Sequence, residues 1–546
     1  MKKNMTKMLA LGLALAMTSG MMVGCSSNGS SSKSTEAAGS TAANASSSKV
    51  LRFACQNFSE NIDPMTMTNA AWCVSRYGIG ETLFKFDEEM NPQPNLCDSF
   101  EKSDDNKTWT LHIVDGLKYS NGNDCNPTAI VNYLNMIYEK EGNTKEGYTG
   151  TPSKFVAKDN IKELKADDEK GTVTFVFKKG YADLQNRLAY PFFVILDSTV
   201  DNMSENPVGT GPYAITKYST GSTTMSLKAN EYYWNEKVPF SGIEINFISD
   251  SNKKAMALQN GDVDLTENIA TVNDLKNLQA DTDKYNVDVA AGLRCAFSYM
   301  NEQKGHPLAN ADLRKAILMA IDDDTICNTT VGGMYTPGFS VVPSHLDYGY
   351  DQLKDATPYN VEEAKKVLDD AGIKDTDGDG IRELDGKNIE LTYYTYDNRA
   401  LKELAEASQN CIEQLGIKVN LQVTDGDTAW NYLVAGEYDL NATNWTTAEI
   451  GDPYSYLDNW YSKSSANYCG YKNEEFDKLY EELADITDTA KRKEIFVKLQ
   501  QILIDDSAAL VHGYYNSNMD SSKAITGATT HTADYYWITA DIKPAK

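Results

Sequence analysis

The segment that decides the fold begins Pro207-Val208-Gly209-Thr210-Gly211-Pro212-Tyr213 and ends Asn230-Glu231-Tyr232-Tyr233-Trp234. Two glycines and a proline within four residues predict a turn whose backbone dihedral angles require glycine. Such a segment maintains a fold and does not by itself contact a ligand. It therefore identifies a scaffold, and the function has to come from other residues.

Outward from this segment, short apolar stretches alternate with amphipathic ones. The apolar stretches predict strands at 50–54, 173–177, 243–247, 389–394 and 417–423. Apolar residues at helical spacing predict helices at 311–321, 361–371, 401–415 and 492–504. The mixture indicates an α/β protein. A chain of 546 residues is too long for one hydrophobic core and predicts two or more lobes.

The N-terminus has the pattern of an export signal. Three lysines, Lys2, Lys3 and Lys7, precede an apolar run at 8–17, which is shorter than the roughly 20 residues that cross a bilayer. Small residues follow the run, and then Met22-Val23-Gly24-Cys25, which resembles a lipobox and makes Cys25 the predicted lipidation site. Residues 26–48 are nearly all small and polar, so we expect a flexible tether between a lipid anchor and the folded body.

Composition limits the partners. The formal net charge is -27, so the chain would be repelled by phosphates, and we expect no nucleic-acid binding. With 24% charged and 41% hydrophobic residues, the composition is that of a soluble globular protein. None of the eight cysteines after Cys25 forms a CxxC pair, and we expect most of them to be small buried hydrophobic residues. Disulfides remain open, since spacing does not give their connectivity.

Six separated blocks, taken together, resemble the extracellular solute-binding proteins of family 5, which serve ABC importers. The blocks follow the order of that family over nearly the whole chain after the tether. They are 98–122 with Gly116-Leu117-Lys118-Tyr119-Ser120, 207–234, 257–264 with Asn260-Gly261-Asp262, 312–322 with Asp312-Leu313-Arg314, 361–372 with Ala371-Gly372, and 415–453 with Gly451-Asp452-Pro453.

The resemblance implies an α/β, two-lobed fold of the periplasmic-binding-protein type (the large cluster C class), with an inserted subdomain and a ligand cleft between the lobes. By that resemblance, 1–24 is the signal peptide and 25–49 the tether. The first lobe comprises 50–85, 200–300 and 515–546, the inserted subdomain 86–199, and the second lobe 301–514.

The same resemblance implies a function. We expect a monomeric, lipid-anchored receptor on the outer face of the cell membrane that captures peptides and delivers them to a permease with its ATPase subunits. It implies no catalysis and no cofactor. Two alternatives stay open: a receptor for a nickel chelate, haem or another small solute on the same scaffold, and, from another class, a surface hydrolase or adhesin. The chain contains no GxSxG, HExxH or Walker motif, and its five histidines are far apart in sequence.

Peptide-binding members of the resembled family hold the ligand's α-amine with an Asp that lies four positions before the proline of an Asp-Pro or Glu-Pro dipeptide. Counting back from Pro453 places Glu449 there, although counting from Trp445 places Ala448 there. A solvated loop acid is therefore the competing interpretation of Glu449. By the same resemblance, Trp445 and Thr446, with Tyr394 and Tyr396 from one side of a strand, are the expected cleft walls.

Dipeptide-selective relatives also carry an arginine near this strand for the ligand's carboxylate. Here Thr395 takes the matching position and Arg399 follows four residues later, so we do not expect strict dipeptide specificity.

A last motif is acidic. Asp375-Thr376-Asp377-Gly378-Asp379-Gly380 matches the first half of a calcium-binding loop, with oxygen ligands at alternating positions. Gly386 occupies the twelfth position, where a bidentate glutamate belongs. An acidic turn is thus one interpretation, and a weak structural Ca²⁺ site on Asp375, Asp377 and Asp379, with Glu383 or Asp385 as substitute ligands, is the other.

Overall fold

The computed structural model describes residues 49–235, 237–484, 486 and 488–546. The predicted signal peptide, Cys25 and the tether up to residue 48 lie outside the described residues. The strands are β1 Val50–Cys55, β2 Phe84–Phe86, β3 Pro92–Pro94, β4 Cys97–Lys102, β5 Thr108–Ile113, β6 Ile161–Asp167, β7 Thr172–Phe177, β8 Tyr213–Lys217, β9 Thr224–Ala229, β10 Gly242–Phe247, β11 Leu265–Glu267, β12 Tyr285–Met300, β13 Tyr335–Thr336, β14 Glu383–Leu384, β15 Lys387–Asn388, β16 Glu390–Tyr396, β17 Lys418–Thr424, β18 Leu440–Thr446, β19 Ala509–Ser522, β20 Ile525–Thr526 and β21 Lys543–Pro544.

The helices connect these strands. They are α1 Thr68–Arg76, α2 Pro127–Lys140, α3 Leu184–Ala189, α4 Ser251–Gln259, α5 Val272–Ala280, α6 Ala311–Ala320, α7 Asp323–Thr325, α8 Val361–Asp370, α9 Leu401–Glu413, α10 Gly426–Ala435, α11 Tyr454–Leu457, α12 Glu474–Leu483 and α13 Thr489–Asp505.

The predicted strands and helices are confirmed, with ends that shift by a few residues. The predicted strand at 389–394 is β16, and the predicted helix at 311–321 is α6. Helix α6 begins where it does because the Asn310 side chain accepts a hydrogen bond from the Leu313 amide. Its buried face includes Leu313 and Ile317, four residues apart, which is the spacing that predicted the helix.

One large mixed sheet organises the molecule. Its strand order is β17-β16-β18-β12-β19-β11-β1-β10-β9-β8, and β13 pairs with β19 at the side. The long strands β12 and β19 are antiparallel and run through both halves of this sheet. Strand β11 pairs with Met519–Ser521 at one end of β19, whereas β18 pairs with the Arg294–Met300 end of β12. The sheet thus has two halves that share β12 and β19.

The parallel strands of one half run in the opposite direction to those of the other half. Strands β1, β10 and β11 are parallel to one another, and so are β16, β17 and β18. Strand β11 is antiparallel to β19, which is antiparallel to β12, so β1, β10 and β11 are parallel to β12. Strand β18 is antiparallel to β12, so β16, β17 and β18 run in the opposite direction. The carboxyl ends of both groups therefore face the same region between the halves. The β12–β19 register shifts between Ala291 and Cys295, at that region.

A separate four-stranded antiparallel sheet, β4-β5-β7-β6, lies within the residues 86–199 predicted as the inserted subdomain. Trp109 of β5 and Phe175 of β7 are fully buried in it. The lobe and subdomain boundaries themselves stay predictions.

The 207–213 segment needs its glycines for a different reason from the one predicted. Gly209 and Gly211 do not have the positive φ that would require glycine. A Cβ atom on Gly209 would instead lie 2.3 Å from the Ile79 carbonyl oxygen, and one on Gly211 would lie 2.4 Å from the Gly78 carbonyl oxygen. Close backbone approach, and not dihedral angle, therefore explains these two glycines.

The cysteine prediction is confirmed: seven of the eight cysteines in the described part are buried, and all eight are free thiols. Over that same part of the chain, no helix combines the length and the apolar character needed to span a bilayer.

Candidate ligand cleft

A cavity of about 880 Å³ opens where the carboxyl ends of the two strand groups face each other. One wall comes from Gln56, Asn268 and the segment 249–254, which follow β1, β11 and β10. The opposite wall comes from residues 397–400 and Glu403, after β16. Ligands of α/β proteins bind outside the carboxyl ends of strands, where backbone groups and loop side chains are not used by the sheet. The topology therefore makes this cavity the candidate binding site.

The first wall contains a buried ion pair. Lys254 Nζ lies 2.7 Å from Glu267 Oε1 and also donates to the main-chain oxygens of Glu267 and Asn268. Both side chains are almost completely inaccessible, and Glu267 also accepts a hydrogen bond from the Gln56 amide. Because each charge has its partner, this pair fixes the wall and leaves no free charge for a ligand.

The arginines of the chain divide into two groups. Five of the eight form ion pairs with a carboxylate: Arg52 with Asp264, Arg187 with Asp183, Arg314 with Glu302, Arg382 with Asp369 and Arg492 with Asp452. For the other three, Arg76, Arg294 and Arg399, no carboxylate of the described residues forms such a pair. We call these three residues the arginine cluster.

The members of the cluster are close enough to affect one another. Burial lowers the pKa of Arg294 to about 10, and the neighbouring charges of Arg399 and Arg76 also act in that direction. The Asp534 carboxylate opposes this lowering. Arg294 and Arg399 keep part of their side chains accessible, and Arg399 also lines the cavity. The cluster thus adjoins the cavity and carries unbalanced positive charge.

Several buried polar atoms in this region have no hydrogen-bond partner among the residues that the structure describes. They are Arg76 Nη1, Arg399 Nε, Asn444 Oδ1, the Tyr515 hydroxyl and both carboxylate oxygens of Asp520. A buried polar group without a partner costs roughly 1–3 kcal/mol. Of these residues, Arg399 lines the cavity, so its unpaired Nε lies where a ligand can complete it.

Aromatic rings hold Arg76 in place. Its guanidinium carbon lies 4.8 Å from the ring centre of Phe58, 5.1 Å from that of Trp72 and 4.4 Å from that of Trp537. Its Nε donates to the Asp534 carbonyl oxygen at 2.6 Å. The residue is 1% exposed. A cation can be kept at this depth because the ring faces attract it.

Glu449 lies near the arginine cluster, against the C-terminal segment and the 86–199 region. Its Oε2 is 3.8 Å from Lys154 Nζ, and its Oε1 is 3.5 Å from the Tyr190 hydroxyl. The Tyr535 hydroxyl donates to its main-chain oxygen at 2.9 Å. Burial raises the pKa of Glu449, while Lys154 and Arg294 act against that rise. The side chain is 19% exposed, which distinguishes it from a fully solvated loop acid.

The other predicted wall residues divide between two places. Thr446 is opposite Arg294 in the β18–β12 register and therefore lies beside the arginine cluster. Tyr394 stacks on Tyr432 of α10 with ring centres 4.3 Å apart, and Trp445 contacts Trp430 of the same helix at 6.0 Å. These two side chains thus have aromatic partners on α10.

Tyr396 is half-buried at the end of β16, and its hydroxyl group contributes to the electrostatic environment of Arg294. The alternation expected for this strand is present, because Tyr393 points the other way and is 0% exposed.

The acidic loop 375–386 lies outside the cleft. Oxygen atoms of Asp375, Asp377 and Glu383 come within 4.8 Å of one another, whereas Asp379 accepts hydrogen bonds from Asn388 at 2.6 Å and from the Ile381 amide at 2.8 Å. Asp375 already accepts from the amides of Gly378 and Gly380. Calcium binding at this loop stays a prediction.

Sequence reasoning missed Arg76 and Arg294, and it treated Arg399 only as a residue near the expected carboxylate position. A signal for Arg294 was available, because an arginine within an apolar strand such as Leu293-Arg294-Cys295-Ala296-Phe297 must have a partner or a ligand. No comparable signal marked Arg76, whose aromatic surroundings come from distant parts of the chain.

A sequence model of the bacterial extracellular solute-binding proteins, family 5 (Middle) matches residues 91–468. The chain belongs to this family. Among family 5 relatives, the oligopeptide-binding protein AppA of Bacillus subtilis is 24% identical over 473 residues, covering 82% of this chain and 83% of its own length. The probable D,D-dipeptide-binding periplasmic protein DdpA of Escherichia coli is 26% identical over 489 residues, covering 86% and 89%.

A solved family 5 structure has the same fold. The crystal structure of NikA from Staphylococcus aureus, in complex with Ni(L-His)2, superposes with a TM-score of 0.74 at 20% identity and covers 91% of this chain and 100% of that one. The two-lobed α/β fold predicted from the sequence is thereby confirmed.

Proposed function

We propose that this chain captures peptides in the cleft and delivers them to the permease of an ABC importer. The observation that carries the proposal is a pair of opposite charges close together: the arginine cluster, which forms no ion pair with a carboxylate of the described residues and reaches the cavity through Arg399, and the half-buried Glu449 carboxylate, whose pKa Arg294 affects. A free peptide is a zwitterion with a carboxylate at one end and an ammonium at the other. Its carboxylate supplies the ion-pair partner that the arginine cluster lacks, and its ammonium supplies Glu449 with a closer partner than Lys154, which lies at 3.8 Å.

In this proposal Arg294 and Arg399 bind the peptide's terminal carboxylate, and Glu449 binds its α-amine. Hydrogen bonds to charged groups contribute roughly 1.5–3 kcal/mol each. We place Thr446, which is opposite Arg294 in the β18–β12 register, and Tyr396, whose hydroxyl group acts on Arg294, next to the carboxylate end of the peptide. The names of the relatives AppA and DdpA, an oligopeptide-binding and a probable dipeptide-binding protein, support a peptide ligand.

A second candidate is a carboxylate-bearing metal chelate or haem. The arginine cluster suits the carboxylates of either ligand, and the relative NikA was solved with a nickel–histidine complex. Neither ligand needs a free ammonium, so neither accounts for Glu449. Blocking the amine of a peptide therefore separates the two candidates.

The test is calorimetric titration of the purified protein with a tripeptide, its N-acetylated form and its C-terminal amide. Each block should weaken binding by roughly 2–5 kcal/mol, because it leaves a desolvated charge of the cleft unpaired. Glu449→Gln should weaken binding of the free peptide by the same amount as N-acetylation, and the two losses should not add. The exposed Glu169→Gln is the matched control and should bind as the wild type does.

Equal affinity for free and acetylated peptides would remove the α-amine role of Glu449. Binding of nickel chelates or haem, without binding of any peptide, would establish the second candidate instead. Steady turnover of a peptide by the purified protein would favour a hydrolase.

The lipid anchor completes the proposal. We place the diacyl group on Cys25, with the body working as a monomer at the end of the 26–48 tether and with lobe limits as predicted above. In the native host, Cys25→Ala should release the protein from the membrane fraction into the soluble fraction. Retention of the variant in the membrane fraction would contradict the anchor.

A further inference from the structure

We infer that the cleft selects peptides whose C-terminal residue is itself acidic, so that two carboxylates enter the arginine cluster together. This inference rests on the proposed peptide function and adds a substrate class to it. It comes from a count of the charges and of the hydrogen-bond donors that surround the site.

The charges in the cluster do not balance. Arg76, Arg294 and Arg399 bring three positive charges, and Asp534 is the carboxylate that acts on both Arg294 and Arg399. Two further acidic groups affect this region without neutralising it. Glu267 is paired with Lys254 at 2.7 Å, and burial raises the pKa of Asp520 to about 8, which leaves that group protonated at neutral pH.

Glu449 does not change the balance either, since Lys154 lies beside it at 3.8 Å. Among the unpaired charges that act most strongly on Arg294 and Arg399, three arginines against Asp534 therefore leave an excess of two positive charges. One terminal carboxylate would halve that excess, and a second carboxylate would remove it. Because like charges repel strongly where water is scarce, the fully neutralised arrangement is the favoured one.

The N–H donors of the arginine cluster also exceed what one carboxylate can accept. A guanidinium group carries five N–H donors, and a carboxylate accepts about four hydrogen bonds. Within the described part of the chain, Arg76 donates to the Asp534 carbonyl oxygen, Arg294 to the Asn444 carbonyl oxygen at 3.4 Å, and Arg399 to Asn398 Oδ1 at 3.1 Å. Arg76 Nη1 and Arg399 Nε are buried without a partner. More donors are thus free than one carboxylate can use.

The position of the excess charge explains why the acidic residue should be the last one. The terminal carboxylate and the side-chain carboxylate of a C-terminal Glu or Asp lie on the same residue, so both reach one compact cluster. An acidic side chain elsewhere in the peptide would enter the 880 Å³ cavity, where Asp250, Asp397 and Glu403 outnumber Lys276, the one lining cation besides Arg399 and the paired Lys254. Repulsion there disfavours it.

Two carboxylates presented together could also come from a metal chelate, and the experiment separates these sources. Calorimetric titrations compare Ala-Ala-Glu, Ala-Ala-Gln and Ala-Glu-Ala with a nickel–histidine chelate. We expect Ala-Ala-Glu to bind at least about tenfold more tightly than either other peptide, since one added charge-assisted bond corresponds to that factor or more. We expect the chelate to bind more weakly than Ala-Ala-Glu.

The variants test whether the cluster causes the preference. In Arg294→Gln the advantage of Ala-Ala-Glu over Ala-Ala-Gln should fall to about threefold or less, while Arg294→Lys should keep most of it, because the charge is retained. The exposed Lys145→Gln changes the net charge by the same amount and should keep the full preference. Circular dichroism of each variant establishes that it is folded before titration.

Equal affinities for Ala-Ala-Glu and Ala-Ala-Gln, with both peptides bound, would overturn this inference and leave the proposed peptide function standing. A preference that survives unchanged in Arg294→Gln would also overturn it, since the selecting charge would lie elsewhere. Absence of binding by all three peptides would overturn the proposed function and this inference together. Tighter binding of the chelate would assign the two carboxylates to that source and reject the peptide one.

Discussion

The acidic loop 375–386 and the arginine cluster are both concentrations of charge, but they are assembled in opposite ways. In the loop, Asp375 and Asp377 accept hydrogen bonds from amides two to five residues further along the chain. In the cluster, Arg76, Arg294 and Arg399 come from three distant segments, and Arg76 and Arg399 each have a buried donor without a partner. The loop satisfies its own charges, whereas the cluster does not.

The free energy that a ligand gains depends on whether the group it meets already has its hydrogen bonds. A group that already has its hydrogen bonds gives up one partner to take another, so the net gain is small. A desolvated charge without a partner gives the ligand the full value of the interaction. The acidic loop, which is a recognisable sequence motif, is therefore the weaker candidate for a ligand site. The arginine cluster, which matches no sequence motif, is the stronger one.

The largest expected effect is on ligand affinity. The double variant Arg294→Gln/Arg399→Gln should lower the affinity for a free tripeptide by roughly 2–5 kcal/mol, because it removes the partners of the buried terminal carboxylate. The double variant Asp375→Asn/Asp377→Asn should leave that affinity unchanged. Calorimetry on both proteins measures the contrast. A comparable loss in the loop variant would mean that the loop and the cleft are coupled.

The next effect is on stability. Burial raises the pKa of Asp520 from 3.8 to about 8, so between these pH values the folded state holds a proton that the unfolded state has lost. The contribution of protonated Asp520 to the free energy of unfolding is complete below about pH 4 and is lost as the pH rises toward 8.

Asp520→Asn should therefore be more stable than the wild type at pH 8, by roughly 1–3 kcal/mol, and closer to it at pH 5. Urea unfolding at both pH values provides the measurement, with the exposed Asp201→Asn as the control. A variant less stable at pH 8 would show that the Asp520 carboxylate is ionised and paired.

A smaller effect concerns the pH dependence of binding. Burial raises the pKa of Glu449 above its ordinary value of 4.5, and only the ionised group can pair with a peptide ammonium. Affinity for a free peptide should thus fall as the pH drops through that raised pKa, by about tenfold per unit below it, since a pKa unit corresponds to about 1.4 kcal/mol. The acetylated peptide should not show this slope. The same slope for both peptides would assign the titration to another group.

The smallest effect is at the acidic loop. With a weak site of about 1 mM affinity, 10 mM Ca²⁺ should raise the unfolding temperature of the wild type by about 1–2 °C, and that of Asp375→Asn by less. Thermal scans with and without a chelator measure it. An increase of many degrees would show that the loop is a strong calcium site and that its own amides do not satisfy its carboxylates.

The elements were predictable because their signals are local. The apolar alternation of β16 and the helical spacing of α6 each depend on neighbours within a few residues, and both were predicted within two residues of their observed ends. The ordered blocks from 98–122 to 415–453 likewise identified the family without any coordinate. Glu449 was predicted as a ligand residue from its distance to Pro453 in the chain, and its role stays a proposal.

Tertiary structure alone decided what surrounds these residues. Glu449 lies beside Lys154 and Tyr190, more than 250 positions away, and Arg76 is held by Trp537 and the Asp534 carbonyl group from the far end of the chain. Tyr394 and Trp445 contact aromatic rings of α10. The sequence determined the fold because hydrophobic periodicity and turn chemistry are short-range. It did not determine the charge balance of the cleft, because that balance depends on which distant charges fold together and which are left without a partner.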